Sequence, residues 1–594
     1  MPRFFPRFTA SGLQATAYLG GIALFSISFL VFLNSSISFV VTEVIGQKEA
    51  VGDAVGTLGF ADELLALVAC PLWGMLSDRI GVRAVAVMGY CFVALSLVCL
   101  VQSANVYPDL LVGRLIFSLG GAACSTMVTA VLPSMVAERA GADKDEERVA
   151  PEAHAAHGAR PREEETGERN GHATTPSVNS ELTITPASYS ASRPATSASA
   201  KHQMGTNSTD GQNDDSVAGT SQLAGLVGFF TGAGALVALG VFLPLPAYLQ
   251  EYGQAKSVQI SYYIVASVAL LVGIFIFFGL RNLPGEEHKS FSALLRPPYD
   301  ETTSVGLHGH LHTTLSPAPS YFLLAKESIK LGLTDPTIGL GYLGGFVARA
   351  SSVGISLFVP LFVNAYFVRN GLCTSNPDNL TDIKRNCERA YKLAAALTGI
   401  GELAALICAP LFGYFGGRAA KYNSKWPLLL SSVVGIAGYV SFGLLKNPDA
   451  FHGGGGQWAF LSIILIGISQ IGAIVCSLGL LGRGVNANSK AIDSRPGTAT
   501  TPRHTSVGPV EGEETAALLP STGTRTRRES VNAKIDRSRL KGSIAGMYSL
   551  AGGAGILILT KLGGALFDSW TTGAPFFLMA IFNGSLLVAI VVVG

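Results

Sequence analysis

Twelve runs of about 20 or more mostly apolar residues recur along this chain, and no other feature restricts its fold as strongly. A bilayer core of about 30 Å is crossed by about 20 residues of α-helix, and a backbone in lipid must satisfy its own polar groups, so such runs read as membrane-spanning helices. The expected spans are 15–42, 55–77, 83–103, 109–137, 222–249, 258–281, 337–368, 391–415, 426–445, 457–482, 542–568 and 573–594. The first is too long for a signal-peptide core and has no small-residue cleavage site, so it is expected to be retained. With 48% hydrophobic and 14% charged residues, most soluble classes are excluded, and a net charge of +2 gives no reason to expect nucleic-acid binding.

The connections are uneven. Residues 138–221 and 483–541 are polar, rich in Ser, Thr and charge, and are expected to be disordered loops. Residues 282–336 form a third polar stretch, in which SFSALL and YFLLAKESIKLGL are either an amphipathic surface helix or plain loop. The expected organisation is thus 1–137 (spans 1–4), the 138–221 loop, 222–281 (spans 5–6), the 282–336 linker, 337–482 (spans 7–10), the 483–541 loop and 542–594 (spans 11–12). The chain stops at VVVG directly after the twelfth run, which leaves the completeness of its C-terminus open.

An even number of spans puts both termini on one side. Placing the N-terminus and the long polar loops on the same side gathers most of the 42 Lys and Arg there, including Arg79 and Arg83 in one short turn and Arg418, Lys421 and Lys425 in another. By the positive-inside rule that side is cytosolic. The sizeable far-side loop, NGLCTSNPDNLTDIKRNCER, then carries an N-glycosylation acceptor at Asn379 and two cysteines, Cys373 and Cys387, that an oxidising compartment would allow to pair.

The second and eighth runs repeat one another. ELLALVACPLWGMLSDR from Glu63 aligns without a gap on ELAALICAPLFGYFGGR from Glu402, matching Pro71 with Pro410, Gly74 with Gly413 and Arg79 with Arg418. A second match links runs five and eleven, where Ala224-Gly225 and Gly232-Ala233-Gly234 recur as Ala545-Gly546 and Gly553-Ala554-Gly555. Small residues at helical spacing let helices approach closely in lipid, so two six-span halves are expected, related by an axis along the membrane normal.

The turn GMLSDRIGVR, with Gly74, Asp78, Arg79, Gly81 and Arg83, resembles the signature between spans two and three of the major facilitator superfamily. LLVGRLIFSLGGA, with Arg114, Gly120 and Gly121, is similar to that family's span-four motif. The resemblance implies an all-α membrane protein with the twelve-helix major facilitator fold. It also implies that Asp78 faces the start of span eleven near Gly542-Ser543 and latches the halves on the cytosolic side. In the second copy Gly417 replaces the acid, although Arg418 remains, and span five has Gly232-Ala233-Gly234 in place of the Gly-Pro pair of many drug/proton antiporters. The long loops make the chain similar to fungal members of the family, some of them vacuolar.

Intramembrane charges are expensive and therefore functional candidates: Asp62, Glu63, Arg114, Arg349, Glu402 and Lys561. At 1.5 Å per residue Arg349 and Glu402 both fall near mid-depth, suggesting a pair that is either a proton site beside the substrate cavity or a static structural ion pair. Asp62, Glu63 and Lys561 fall in the far half, where they form an outer gate unless Lys561 simply snorkels to the interface. Arg114 resembles the family's span-four base, associated with proton coupling; the alternative is a bond to backbone carbonyls.

Two loop features complete the reading. Glu514 with Leu518 and Leu519 fits an acidic dileucine signal that a sorting adaptor would read, directing the protein to a vacuole or lysosome-like membrane, with the plasma membrane as alternative. His308, His310 and His312 lie in a polar loop, where they are either metal ligands or merely solvated; no metal site is assigned. No phosphate-binding loop or other enzymatic motif stands out, and no cofactor is implied. The expected function is secondary active transport of a small solute by alternating access, coupled to protons, by a monomer in a lipid bilayer. A non-transporting sensor or scaffold on the same fold is the alternative.

Overall fold

The computed structural model describes residues 10–47, 51–136, 208–284, 286, 289, 291, 299–305, 311–317, 320–370, 388–422, 424–449, 456–486 and 537–593. Twelve helices among them are long and apolar enough to cross a membrane. They are Gly12–Val44 (span 1), Ala54–Ile80 (2), Val82–Leu100 (3), Val106–Val136 (4), Ala218–Tyr248 (5), Gln254–Gly279 (6), Pro336–Arg369 (7), Lys392–Lys421 (8), Trp426–Gly443 (9), Gln457–Asn486 (10), Lys541–Ser569 (11) and Ala574–Val593 (12). These agree with the expected spans to within a few residues, except that span 8 runs on to Lys421 rather than ending at 415. Two alanines extend that last turn, and Arg418 and Lys421 suit the negative end of a helix.

Local sequence explains the ends. Spans 2 and 3 are joined through Gly81 alone, whose φ of 93° lies in the left-handed region that glycine enters without strain. Span 7 opens on Asp335-Pro336: the Asp335 carboxylate accepts the Thr337 N–H at 2.9 Å, and proline occupies a first-turn position that needs no donor. Inside spans 2 and 8, Pro71 and Pro410 each remove one backbone hydrogen bond at matching places in the repeat.

The repeat also appears in the backbone. A wide π-helical turn occupies Ala238–Phe242 of span 5 and Leu559–Gly563 of span 11, at the same separation as Ala224 and Ala545. The repeated glycines are where the two halves cross. A Cβ on Gly74 of span 2 would stand 2.3 Å from the Gly542 carbonyl oxygen and 2.9 Å from Gly546 Cα of span 11. On the other side of the pseudo-symmetry axis a Cβ on Gly225 of span 5 would stand 2.6 Å from Gly413 Cα of span 8. Both approaches are closer than any side chain allows, so each crossing requires glycine.

The linker between halves is more structured than its polar composition suggests. Residues Tyr299–Val305 and Leu311–Pro317 form an antiparallel hairpin, Tyr299 opposite Pro317. YFLLAKESIKLGLT is a helix, Tyr321–Thr334, capped by Ser320 and burying Leu324 and Ser328 while leaving Phe322 and Leu333 exposed. Of the loop features, Asn379, Cys373, Cys387, Glu514, Leu518, Leu519, His308 and His310 lie outside the described residues, as does most of 138–221.

Candidate functional site

The GMLSDRIGVR turn lies at the end of span 2, and its side of the bundle is called the turn side. There Asp78 reaches across to the first turn of span 11. Its carboxylate accepts the backbone N–H groups of Gly542 and Ser543, both at 2.7 Å, and the Ser543 hydroxyl at 2.5 Å. A carboxylate on otherwise unpaired N–H groups at a helix start is favoured by both hydrogen bonding and the helix dipole. The glycine crossing one turn away makes the contact possible: with any side chain at 74, span 11 would be held off.

The other members of the motif are also engaged. The Arg79 guanidinium lies 3.9 Å above the centre of the Tyr321 ring, tying the linker helix to span 2. Arg83 stands 5.1 Å from the Phe277 ring of span 6. Gly81 has a further reason to be glycine, since a Cβ there would lie 2.7 Å from the Glu286 carboxylate. Glu286, which the sequence gave no cause to select, accepts the Val82 N–H at 2.8 Å and pairs with Lys289 at 2.7 Å. It caps span 3 much as Asp78 caps span 11. Only its position seven residues after span 6 could have hinted at this, and acids at such a distance from a helix end are common.

Another cross-half link on the turn side is Lys541, whose ammonium donates to Ser134 of span 4 at 3.2 Å. Arg537, just before span 11, pairs with Asp335 at 2.7 Å and donates to the Gly484 carbonyl of span 10 at 3.1 Å. A Cβ on Gly482 of span 10 would meet Thr220 of span 5 at 2.4 Å. The turn-side ends of the halves are therefore packed together in this structure.

Within the membrane the charges are arranged differently from the expectation. Asp62 does not join Lys561 but is buried against Arg114, at 2.6 Å, with Asn34 of span 1 accepting from the same guanidinium at 2.5 Å. Nε and Nη1 of Arg114 are buried without a hydrogen-bond partner. Asp62 and Glu63 are about 100° apart around span 2, so Asp62 turns into the N-terminal half while Glu63 does not. Lys561, in the π-helical turn of span 11, lies 4.1 Å above the Phe60 ring of span 2.

The expected pair of Arg349 with Glu402 is likewise replaced. Among the described residues no ion pair joins them. Arg349 of span 7 packs its stem on span 11, where a Cβ on Gly552 would meet its Cγ at 2.6 Å, and its charge acts on Glu63 of span 2. Glu402 lies beside Gln470 of span 10, whose amide donates to Ser352 of span 7 at 2.9 Å. Depth along a helix puts charges at one level; which neighbour each faces depends on how the helices are rotated.

Twelve candidate spans in two six-helix halves, joined by hydrogen bonds and glycine crossings on the turn side, define a polytopic membrane protein. The model of the Major Facilitator Superfamily matches residues 24–142, which include the turn and Arg114. Among solved structures, a bacterial homologue of the iron transporter ferroportin in an outward-facing state is 13% identical over 98% of both chains, with a TM-score of 0.51. The proton:xylose symporter XylE is 12% identical over 97% of this chain and 94% of its own, at 0.48. The human organic anion transporter MFSD10 is also 12% identical, over 98% and 99%, at 0.47. No curated protein sequence matches. Over residues 24–142 the chain is therefore similar to the Major Facilitator Superfamily, and its fold as a whole is similar to that of the outward-facing ferroportin homologue.

Proposed function

We propose that this protein is a secondary active transporter that carries a small solute by alternating access and couples the movement to protons. The observation that carries the reading is that Glu63 and Arg349, on spans 2 and 7 of opposite halves, act on one another electrostatically while no ion pair joins them among the described residues. Rocking of the halves changes the separation of these two charges, so the protonation state of Glu63 and the conformation are linked. The Asp78 cap opposes this from the turn side, holding the halves together there in the state open to the far side. The Asp62–Arg114 pair lies one residue away on span 2, within the N-terminal half.

The test is proton flux in liposomes under an imposed pH gradient, with a mixed solute library and with Glu63→Gln and Glu402→Gln chains. Solute-dependent proton uptake that disappears in Glu63→Gln supports the reading. Loss in Glu402→Gln alone moves the proton site to the other half, and solute movement indifferent to the pH gradient removes proton coupling. On the same reading the turn side is cytosolic, Asn379 is glycosylated in the opposite compartment with Cys373 and Cys387 paired beside it, and the dileucine at Leu518 and Leu519 directs the protein to a vacuole-like membrane.

A further inference from the structure

A small, partly open pocket lies away from the crossing of spans 2 and 11, between the turn-side ends of spans 5, 8, 9 and 10. Lys425, Arg483, Ser221 and Ser424 give it a polar wall, and Phe412 and Leu480 are among its apolar residues. Two cations face this space, yet no acid pairs with either among the described residues. Lys425 donates to the Val593 carbonyl at 3.2 Å, and Nε of Arg483 is buried with no hydrogen-bond partner. Burial first, and the Arg483 charge second, push the Lys425 ammonium below its usual range. Like charges brought together in partial burial repel, and a buried guanidinium nitrogen without an acceptor is costly. Both penalties are relieved by one bound anion.

We infer that this pocket binds a phosphate group, with the Arg483 guanidinium and the Lys425 ammonium as its charged ligands and the Ser221 and Ser424 hydroxyls as further donors. Arginine's planar fork suits phosphate oxygens, and lysine supplies a point charge. Trp426, exposed next to Lys425 and 5.6 Å from the Phe415 ring, is the residue type that marks the membrane–water interface, the depth of lipid headgroups. The phosphate therefore comes from either an anionic lipid headgroup or a soluble phosphate compound.

The two sources separate in one experiment on the full chain. Thermal unfolding of purified protein is followed in nanodiscs of phosphatidylcholine alone, in nanodiscs with about 20% phosphatidylinositol phosphate by mole, and in phosphatidylcholine with inorganic phosphate against chloride at equal ionic strength. A midpoint raised by several degrees with the anionic lipid only assigns a headgroup; a rise with inorganic phosphate assigns a soluble anion. Either rise must shrink by more than half in both Arg483→Gln and Lys425→Gln, and Arg483→Lys, which keeps the charge, must retain part of it. Lys425 is in a turn, so its variant carries the test if Arg483→Gln does not purify in folded form. No rise with either probe, or an undiminished rise in Lys425→Gln, overturns the assignment.

Discussion

Replacing Asp78 with Asn removes one charge from the turn side while keeping nearly the same volume. The aspartate accepts three hydrogen bonds from two consecutive residues of span 11, two of them from backbone N–H groups that have no other acceptor in a first helical turn. Asparagine offers one carbonyl oxygen and presents an NH2 to the remaining donors, so at least one backbone donor is orphaned and the others lose charge assistance. With about 1.5–3 kcal/mol for a hydrogen bond to a charged group and about 0.3–1 kcal/mol for the helix dipole, the expected loss is about 2–4 kcal/mol. At 1.4 kcal/mol per decade, the equilibrium between the turn-closed state and its alternative shifts by about 30- to 700-fold. Spin labels on Arg281→Cys and Tyr422→Cys, exposed turn-side positions on opposite halves, read this as a second, longer distance in a cysteine-depleted background. An unchanged distance distribution in Asp78→Asn, in a chain where Gly74→Leu does separate the labels, would refute the energetic role given to the cap.

Gly74→Leu itself is expected to open the turn side, because its Cβ would lie 2.3 Å from the Gly542 carbonyl oxygen; Gly413→Leu should do the same through Gly225, and the same labels test both. Arg114→Ala leaves Asp62 buried without its partner and should destabilise the chain by about 3–5 kcal/mol, read as a lowered unfolding midpoint, with Asp62→Asn recovering part of the loss in the double mutant. Tyr321→Ala removes the ring beneath Arg79 and should loosen the linker helix, seen as faster hydrogen exchange over 321–334 with little change in spans 2 and 11. Treatment with peptide N-glycosidase should increase gel mobility in the native chain and not in Asn379→Gln, which checks the assignment of sides.

The spans could be read from the chain because each depends on a local quantity, the length of an uncharged apolar run measured against a fixed bilayer thickness. The repeat was equally legible, and through it the glycines that let the halves cross, since Gly74 with Gly546 and Gly225 with Gly413 recur at matched spacings. Charge pairing was not. Sequence put Arg349 level with Glu402, and Asp62 in the same half of the membrane as Lys561, from rise per residue alone. Only the rotation and packing of the helices turned Asp62 onto Arg114, set Lys561 over Phe60 and directed Arg349 toward Glu63. The Glu286 cap on span 3 and the meeting of Lys425 with Arg483 were invisible for the same reason: they join residues far apart in the chain, and no local pattern encodes which distant side chains a tertiary fold brings together. Hydrophobic length and the spacing of small residues determine how many helices this chain makes and which can touch. Where its buried charges point is decided by the azimuth of each helix, a property of the packed bundle rather than of any one segment.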